Sequence, residues 1–299
     1  VDPLEDVLRL LGATGRVSAG LIAGGEWAVA FDASRDVKFN LVRTGRALLI
    51  VAGTTVPLAA GDCFIVTHPV PFVLAGAVEV APSPASEVFR EVRDGFAHAG
   101  DGADFVAIGG RFEMAGRSRE VLLDGLPPVI HVPAGTPEAA AVGWAVGEID
   151  AELRAGRAGA TLVAEHLALA MLIRVLRLHL PAATGWLRGL ADPVVAPALR
   201  AIHARPAHPW TVAELAATAA VSRSTLAARF KATVGRGPLE YLTGWRIELA
   251  ADRLRRGETV AAIAHAVGYG SESALSVAFK RVTGTTPRSY RSFVSGTFR

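Results

Sequence analysis

The sequence predicts an α+β protein, with an antiparallel β-barrel first, a helical segment next and an all-α region last. Three observations carry this. Short β-favouring runs recur at roughly ten-residue spacing up to position 135, as in barrels and sandwiches. Beyond Pro137 the chain turns to long Pro-free helical stretches. From Thr211 onward a segment of the chain repeats itself.

The β-favouring runs are Trp27–Phe31, Phe39–Val42, Ala47–Val51, Cys63–Thr67, Phe72–Leu74 and Phe105–Ile108. Turn pairs separate them: Thr44-Gly45, Ala52-Gly53, Gly61-Asp62 and Pro127-Pro128. The helical stretches Glu138–Arg154 and Thr161–Leu180 follow. The second is apolar on more than one face and has to be covered on most sides. Its own domain or a second copy of the chain could do so; a two-helix appendage on a small barrel has little other surface to cover it, so a second copy is expected there. Residues 181–209, with five prolines and a short helical stretch, read as a linker. The resulting division is 1–135 barrel, 136–180 dimerisation segment, 181–209 linker and 210–299 all-α domain.

The repeat is specific. Thr211-Val212-Ala213 and Leu215-Ala216 return 48 residues later as Thr259-Val260-Ala261 and Ile263-Ala264. One residue is then inserted. Leu226, Phe230-Lys231, Gly235, Pro238 and Tyr241 return 49 residues later as Leu275, Phe279-Lys280, Gly284, Pro287 and Tyr290. Each copy parses as helix, tight turn, helix. Thr211 with Glu214 forms a capping box, and Ser222 and Ser271 cap the helices Arg223–Val234 and Glu272–Val282. Leu226 with Phe230, and Leu275 with Phe279, pin those helices to a core at i, i+4 spacing. Leu239–Arg256 reads as one long helix joining the copies.

Charge follows the same division. Residues 199–299 hold 15 Lys and Arg against 6 Asp and Glu, while the preceding 198 hold 16 against 22. A basic module on an acidic one points to a polyanionic partner. Hydrophobic content of 51% with 20% charged residues excludes a disordered chain. One cysteine, Cys63, excludes an intrachain disulfide framework and Cys-rich zinc patterns. No signal peptide or membrane span is expected, because the most apolar stretch, 162–180, is broken by Glu165, His166, Arg174, Arg177 and His179. The protein reads as cytoplasmic.

The stretch from Trp210 to Tyr290 resembles the AraC/XylS transcriptional regulators. The residues that carry the likeness are Trp245-Arg246, Ala264, Gly268-Tyr269, Phe279-Lys280, Gly284, Pro287 and Tyr290. Upstream, Gly61-Asp62, Leu126-Pro127, Asp192-Pro193, Ala201-Ile202-His203 and Pro209-Trp210 resemble the subgroup whose first domain is a cupin barrel. The resemblance implies a homodimeric regulator, more often an activator, that binds double-stranded promoter DNA through two helix-turn-helix units and works with RNA polymerase. A small-molecule effector would sit in the barrel.

On that basis Arg223, Lys231, Lys280 and Arg281 are expected on phosphates, helped by the helix N-termini at Ser222 and Ser271. Ser224, Thr225, Glu272, Ser273 and Ser276 are expected at base edges, Glu272 accepting from a cytosine amino group or serving only the helix dipole. The family commonly places an Arg two residues before the Phe of each copy. Here Ala228 and Val277 stand there, so readout is expected to lean on thymine methyls and shape, with Arg229 the neighbouring cation.

Trp27, Phe39, Phe64, His68 and Phe72 are candidate effector contacts. No metal, cofactor or catalytic set is expected: Asn40 and Phe72 stand where related regulators often have His, and His68 and His131 are isolated. Two alternatives remain, a regulator sensing oxidants through Cys63 and a metal-dependent cupin enzyme.

Overall fold

The structure is a computed structural model describing residues 2–114, 122–180 and 182–296. It divides into two compact units. One comprises the described residues of Val1–Gly12, Ala115–Gly125 and Leu180–Arg299; the other comprises Ala13–Met114 and Leu126–His179.

The chain opens with helix α1 (Pro3–Leu11), which belongs to the helical unit rather than with the strands that follow. Asp2 caps it, Pro3 occupies its first turn and Gly12 ends it in the left-handed conformation. Leu4, Val7, Leu8 and Leu11 form its buried face.

The β-rich unit contains β1 (Thr14–Val17), β2 (Gly20–Gly24), β3 (Ala28–Phe31), β4 (Val37–Thr44), β5 (Arg46–Val51), β6 (Thr54–Ala59), β7 (Cys63–Val66), β8 (Phe72–Ala75) and β9 (Ser83–Pro84). A short helix α2 (Ala85–Val88) precedes β10 (Phe96–Gly100), β11 (Phe105–Glu113) and β12 (Val129–Val132). The expected closed barrel is corrected here to two sheets. One runs β10-β2-β11-β4-β7-β12 with β1 paired to β11, and the other runs β6-β5-β8-β3-β9. Pro57 lies in β6 and Pro84 in β9, and a proline has no N–H to extend a ladder. Both prolines thus sit in the edge strands of the second sheet. The strands are not all antiparallel either: β10 pairs parallel to β2, and β9 parallel to β3.

Leu21, Trp27, Val42, Leu49, Phe64, Phe72, Leu74 and Phe105 form the core that both sheets share. Strand β7 is buried at every position, so a continuous apolar run replaces alternation. The turn before it is held by Asp62, which accepts backbone N–H groups from Ala59 (3.0 Å) and Ala134 (2.6 Å) and lies 3.1 Å from His131 Nε2. Helices α3 (Pro137–Ala155) and α4 (Ala160–His179) complete this unit. A Cβ on Gly15 of β1 would sit 2.1 Å from that of Ala168, so the glycine lets α4 lie close on the strand.

The helical unit continues with α5 (Gly185–Ala191) and α6 (Val195–Ala204). They lie where the sequence suggests a linker, and Leu187, Val195, Leu199 and Ile202 are fully buried. Then come α7 (Val212–Thr218), α8 (Arg223–Val234), the long α9 (Pro238–Arg255), α10 (Val260–Ala266), α11 (Glu272–Thr283) and α12 (Pro287–Gly296). The capping box at Thr211 and Glu214 is formed, and Ser222, Thr259 and Ser271 each accept an N–H at their helix starts.

The duplication persists in space. Phe230 meets Tyr241 edge-on at 5.8 Å, and Phe279 meets Tyr290 edge-on at 5.5 Å. Val221 donates its N–H to Ala216 and Tyr269 donates to Ala264, closing equivalent turns. Both turns need a left-handed residue. The first copy uses Ala220 (φ +53°) and the second Gly268 (φ +86°). A side chain costs energy in that conformation, and at Gly268 a Cβ would also meet the Ala207 carbonyl oxygen at 2.5 Å.

Two outcomes are expected in urea unfolding of the full chain. Ala220→Gly stabilises it by about 0.5–1 kcal/mol, and Gly268→Ala destabilises it by about 1–3 kcal/mol. Equal effects of one sign would contradict this account of the turns.

Candidate nucleic-acid interface

Helices α8 and α11 bury one face and present the other. Leu226, Phe230 and Val234 hold α8; Leu275, Ala278 and Phe279 hold α11. Spaced i, i+4 and i+7 on the outer face of α8 stand Ser224, Ala228 and Lys231, all exposed. Their equivalents on α11 are Ser273, Val277 and Lys280, also exposed. Val277 is 68% exposed, far more than a valine on a helix supported by its own core requires.

Arg223, Lys231, Lys280 and Arg281 are exposed and make no ion pair among the described residues, so their charge is available to a polyanion. Glu272 is the first residue of α11 and is exposed. Ser276 is half-buried. Ser222 is committed to its helix: its Oγ accepts the Thr225 N–H at 3.1 Å and lies 2.9 Å from Ser224 Oγ and 2.8 Å from Thr225 Oγ1. Ser271 likewise accepts from Ala274.

Arg229 has a partner of its own. Its Nε donates to Asp192 Oδ2 at 2.7 Å, and Asp192 is 7% exposed. The same carboxylate accepts the N–H groups of Val194 and Val195 and so begins α6. Burial pushes the Asp192 carboxyl up, but these two N–H groups and the Arg229 guanidinium outweigh it and hold it below the usual range. Arg229 thus ties α8 to the residues before α6.

The linking helix α9 is clamped as well. Arg246 donates from Nε to the Pro206 carbonyl (2.7 Å) and from Nη2 to that of His208 (2.8 Å), and lies over the Tyr269 ring at 5.7 Å.

The effector candidates of the β-rich unit separate. Trp27 packs against Phe105 in a tilted pair at 4.9 Å and Phe64 is fully buried, both within the hydrophobic core. Phe39 pairs with Phe112 at 5.0 Å; its strand neighbour Asn40 lines a cavity, so Phe39 points away from it. His68 Nδ1 lies 2.8 Å from Thr67 Oγ1. Phe72 alone of the five lines that cavity of about 260 Å³, together with Phe31, Lys38, Asn40, Phe89 and Arg111, which sequence reasoning did not single out as effector contacts. The signal was present in β4, where Lys38 and Asn40 occupy the inward positions that continue to Val42. Cys63 is fully buried, and burial with the nearby Asp62 charge pushes its thiol up to about 12.

Comparison with known proteins gives two family matches, a cupin over residues 2–181 and a helix-turn-helix domain over residues 215–292. An AraC-like transcription regulator of Streptomyces antibioticus is 61% identical over 97% of this chain and 98% of its own length. A regulator of the same description from Streptomyces lividans is 60% identical over the same shares. Among solved structures, the DNA-binding domain of the global transcriptional factor AdpA, in complex with a target DNA, is 30% identical. It covers 36% of this chain and 96% of its own, with a TM-score of 0.34.

Removing the Asp192 charge with Asp192→Asn is expected to cost about 1–3 kcal/mol in urea unfolding. Arg229→Ala should cost less, since the N–H groups keep Asp192 partnered. The Asp192 contribution is present above the ordinary carboxylate range and is lost as pH falls through the lowered value. A pH profile of the wild-type minus Asp192→Asn difference that stays flat through that range would contradict the assignment.

Proposed function

Because this chain belongs to the AraC family of DNA-binding transcriptional regulators, we propose that it reads a promoter through the outer faces of α8 and α11 and answers to a small molecule held in its β-rich unit. The observation that carries the reading is the doubled face: Ser224, Ala228 and Lys231 on one helix, Ser273, Val277 and Lys280 on the other, with Arg223 and Arg281 beside them making no ion pair among the described residues. Arg223, Lys231, Lys280 and Arg281 neutralise phosphates, and Ser222 and Ser271 present helix N-termini to them. Ser224, Thr225, Glu272, Ser273 and Ser276 meet base edges. Val277 contacts a thymine methyl, the role its exposure suits. Arg229 supports α8 through Asp192 rather than reading a base.

The protein acts as a homodimer in the cytoplasm, and α3 and α4 supply the dimer face. Trp144 (62% exposed) and Leu162 (58% exposed) support this, being large apolar groups left in water. It activates transcription with RNA polymerase and catalyses no reaction of its own. Oxidant sensing through Cys63 is the weaker reading, because a buried neutral thiol is a poor nucleophile.

The test is duplex binding by the full chain, with sites first selected from random DNA. Footprints are expected over two successive major grooves on one face, about 10 bp apart. Affinity should fall steeply with salt, and Lys231→Ala or Lys280→Ala should each lower the salt slope by about 1. Absence of any specific site would overturn the reading.

Replacing thymine by uracil under α11 is expected to weaken wild-type binding by about 1 kcal/mol or more. Val277→Ala should largely abolish that difference. A uracil effect of the same size in Val277→Ala would remove Val277 from readout.

A further inference from the structure

The cavity of the β-rich unit has an uneven chemistry. One wall is aromatic: Phe31 stacks on Phe72 at 4.6 Å and meets Phe89 edge-on at 5.9 Å. The opposite wall is the pair β4 and β11. There Lys38 stands directly opposite Arg111, and Asn40 opposite Gly109. All four line the cavity.

Two cations directly across an antiparallel pair repel and normally cost stability. Arg111 is compensated: its Nη2 lies 2.9 Å from Glu113 and its Nε 3.5 Å from Asp36. Lys38 is not. No carboxylate lies within ion-pair distance of its Nζ among the described residues, and the Nζ lies over the Phe31 ring, 5.8 Å from the centroid. Burial pushes the Lys38 ammonium down, with Asp36 and Asp32 opposing and Arg111 assisting. A half-buried cation beside a second cation, with an apolar chamber in front of it and Asp36 and Asp32 acting only from a distance, lacks one thing, a negative charge in direct contact.

We propose that this cavity takes a small organic anion, a carboxylate on a compact apolar body, whose charged group is received by Lys38 with the Asn40 amide beside it and whose body lies against Phe31, Phe72 and Phe89. This rests on the reading of the β-rich unit as the effector-binding part, and it names the effector's class. The volume, about 260 Å³, suits a ligand of few carbon atoms rather than a long chain. The anion would bridge the cross-strand pair: bound, it offsets the repulsion between Lys38 and Arg111, so occupancy stiffens β4 against β11.

The experiment uses the full chain and isothermal titration with benzoate, phenylacetate and hexanoate against benzamide, phenylacetamide and hexanamide. Each pair shares a shape and differs in charge. At least one acid should bind, and bind tenfold or more tightly than its amide. Lys38→Met should remove that preference while leaving amide affinity within twofold, and Lys38→Arg should keep it. Amides equal to acids in the wild type, no binding by any acid, or an acid preference that survives Lys38→Met would each overturn the proposal. Duplex binding is measured with and without the bound acid. A preference for acids through Lys38 that leaves DNA affinity unchanged would uphold the anion site and sink the effector reading, so the two failures are distinct.

Discussion

His203 lies at 4% exposure inside the helical unit, between side chains of three other helices. Its Nδ1 is 3.3 Å from Asp6 of α1, its Nε2 is 2.8 Å from the Tyr241 hydroxyl of α9, and its ring stacks on Trp245 at 4.2 Å. The Trp186 ring of α5 is stacked with it as well, its centroid 6.5 Å away. The arrangement fits an imidazole that donates from Nδ1 to the carboxylate and accepts at Nε2 from the phenol. Burial holds His203 below its ordinary value, the Asp6 carboxylate opposing, so the neutral ring is the stable one. Because Tyr241 also packs against Phe230, the same cluster seats the first recognition helix. The long helix α9 starts beside this cluster, and everything downstream takes its position from that helix.

One residue along, Arg246 uses two donors to hold the carbonyls of Pro206 and His208 and lays its guanidinium over Tyr269. The segment before the first helix-turn-helix and the turn of the second are therefore fastened to one point of α9. This is how two recognition helices with separate cores keep a set spacing. The duplicated contacts, Phe230 on Tyr241 and Phe279 on Tyr290, make each unit rigid; the inserted Gly270 lengthens only the second turn, ahead of its Ser271 cap. Ala228 and Val277 stand exposed on the outer faces of these helices, away from the buried anchors.

The β-rich unit follows another logic. Its dry core reaches from Trp27 and Phe105 through Phe64 to Phe72, and ends where Asn40 and Lys38 replace apolar residues on the inward face of β4. A strand that changes from apolar to polar along one face marks where a core becomes a cavity. The sheets do not close around it, and a proline lies in each edge strand of the second sheet.

The sequence by itself determined the helix-turn-helix pair. Caps, i to i+4 anchors and terminal glycines are local signals, and two copies of each made them legible: the helices at 223–234 and 272–283 lie within a residue of expectation. The α1 signature at Asp2, Pro3 and Gly12 was just as local and equally readable. The Gly- and Ala-rich strands β2 and β10 were not, since they carry few β-branched residues and exist by pairing, β10 with β2 and β2 with β11. Only the tertiary structure decided that helices of 181–209 pack into the helical unit, that Arg229 answers Asp192, and that Lys38 faces Arg111 with no carboxylate in ion-pair contact among the described residues. Those facts depend on residues tens of positions apart meeting in space, and no local pattern records which distant partner will be there.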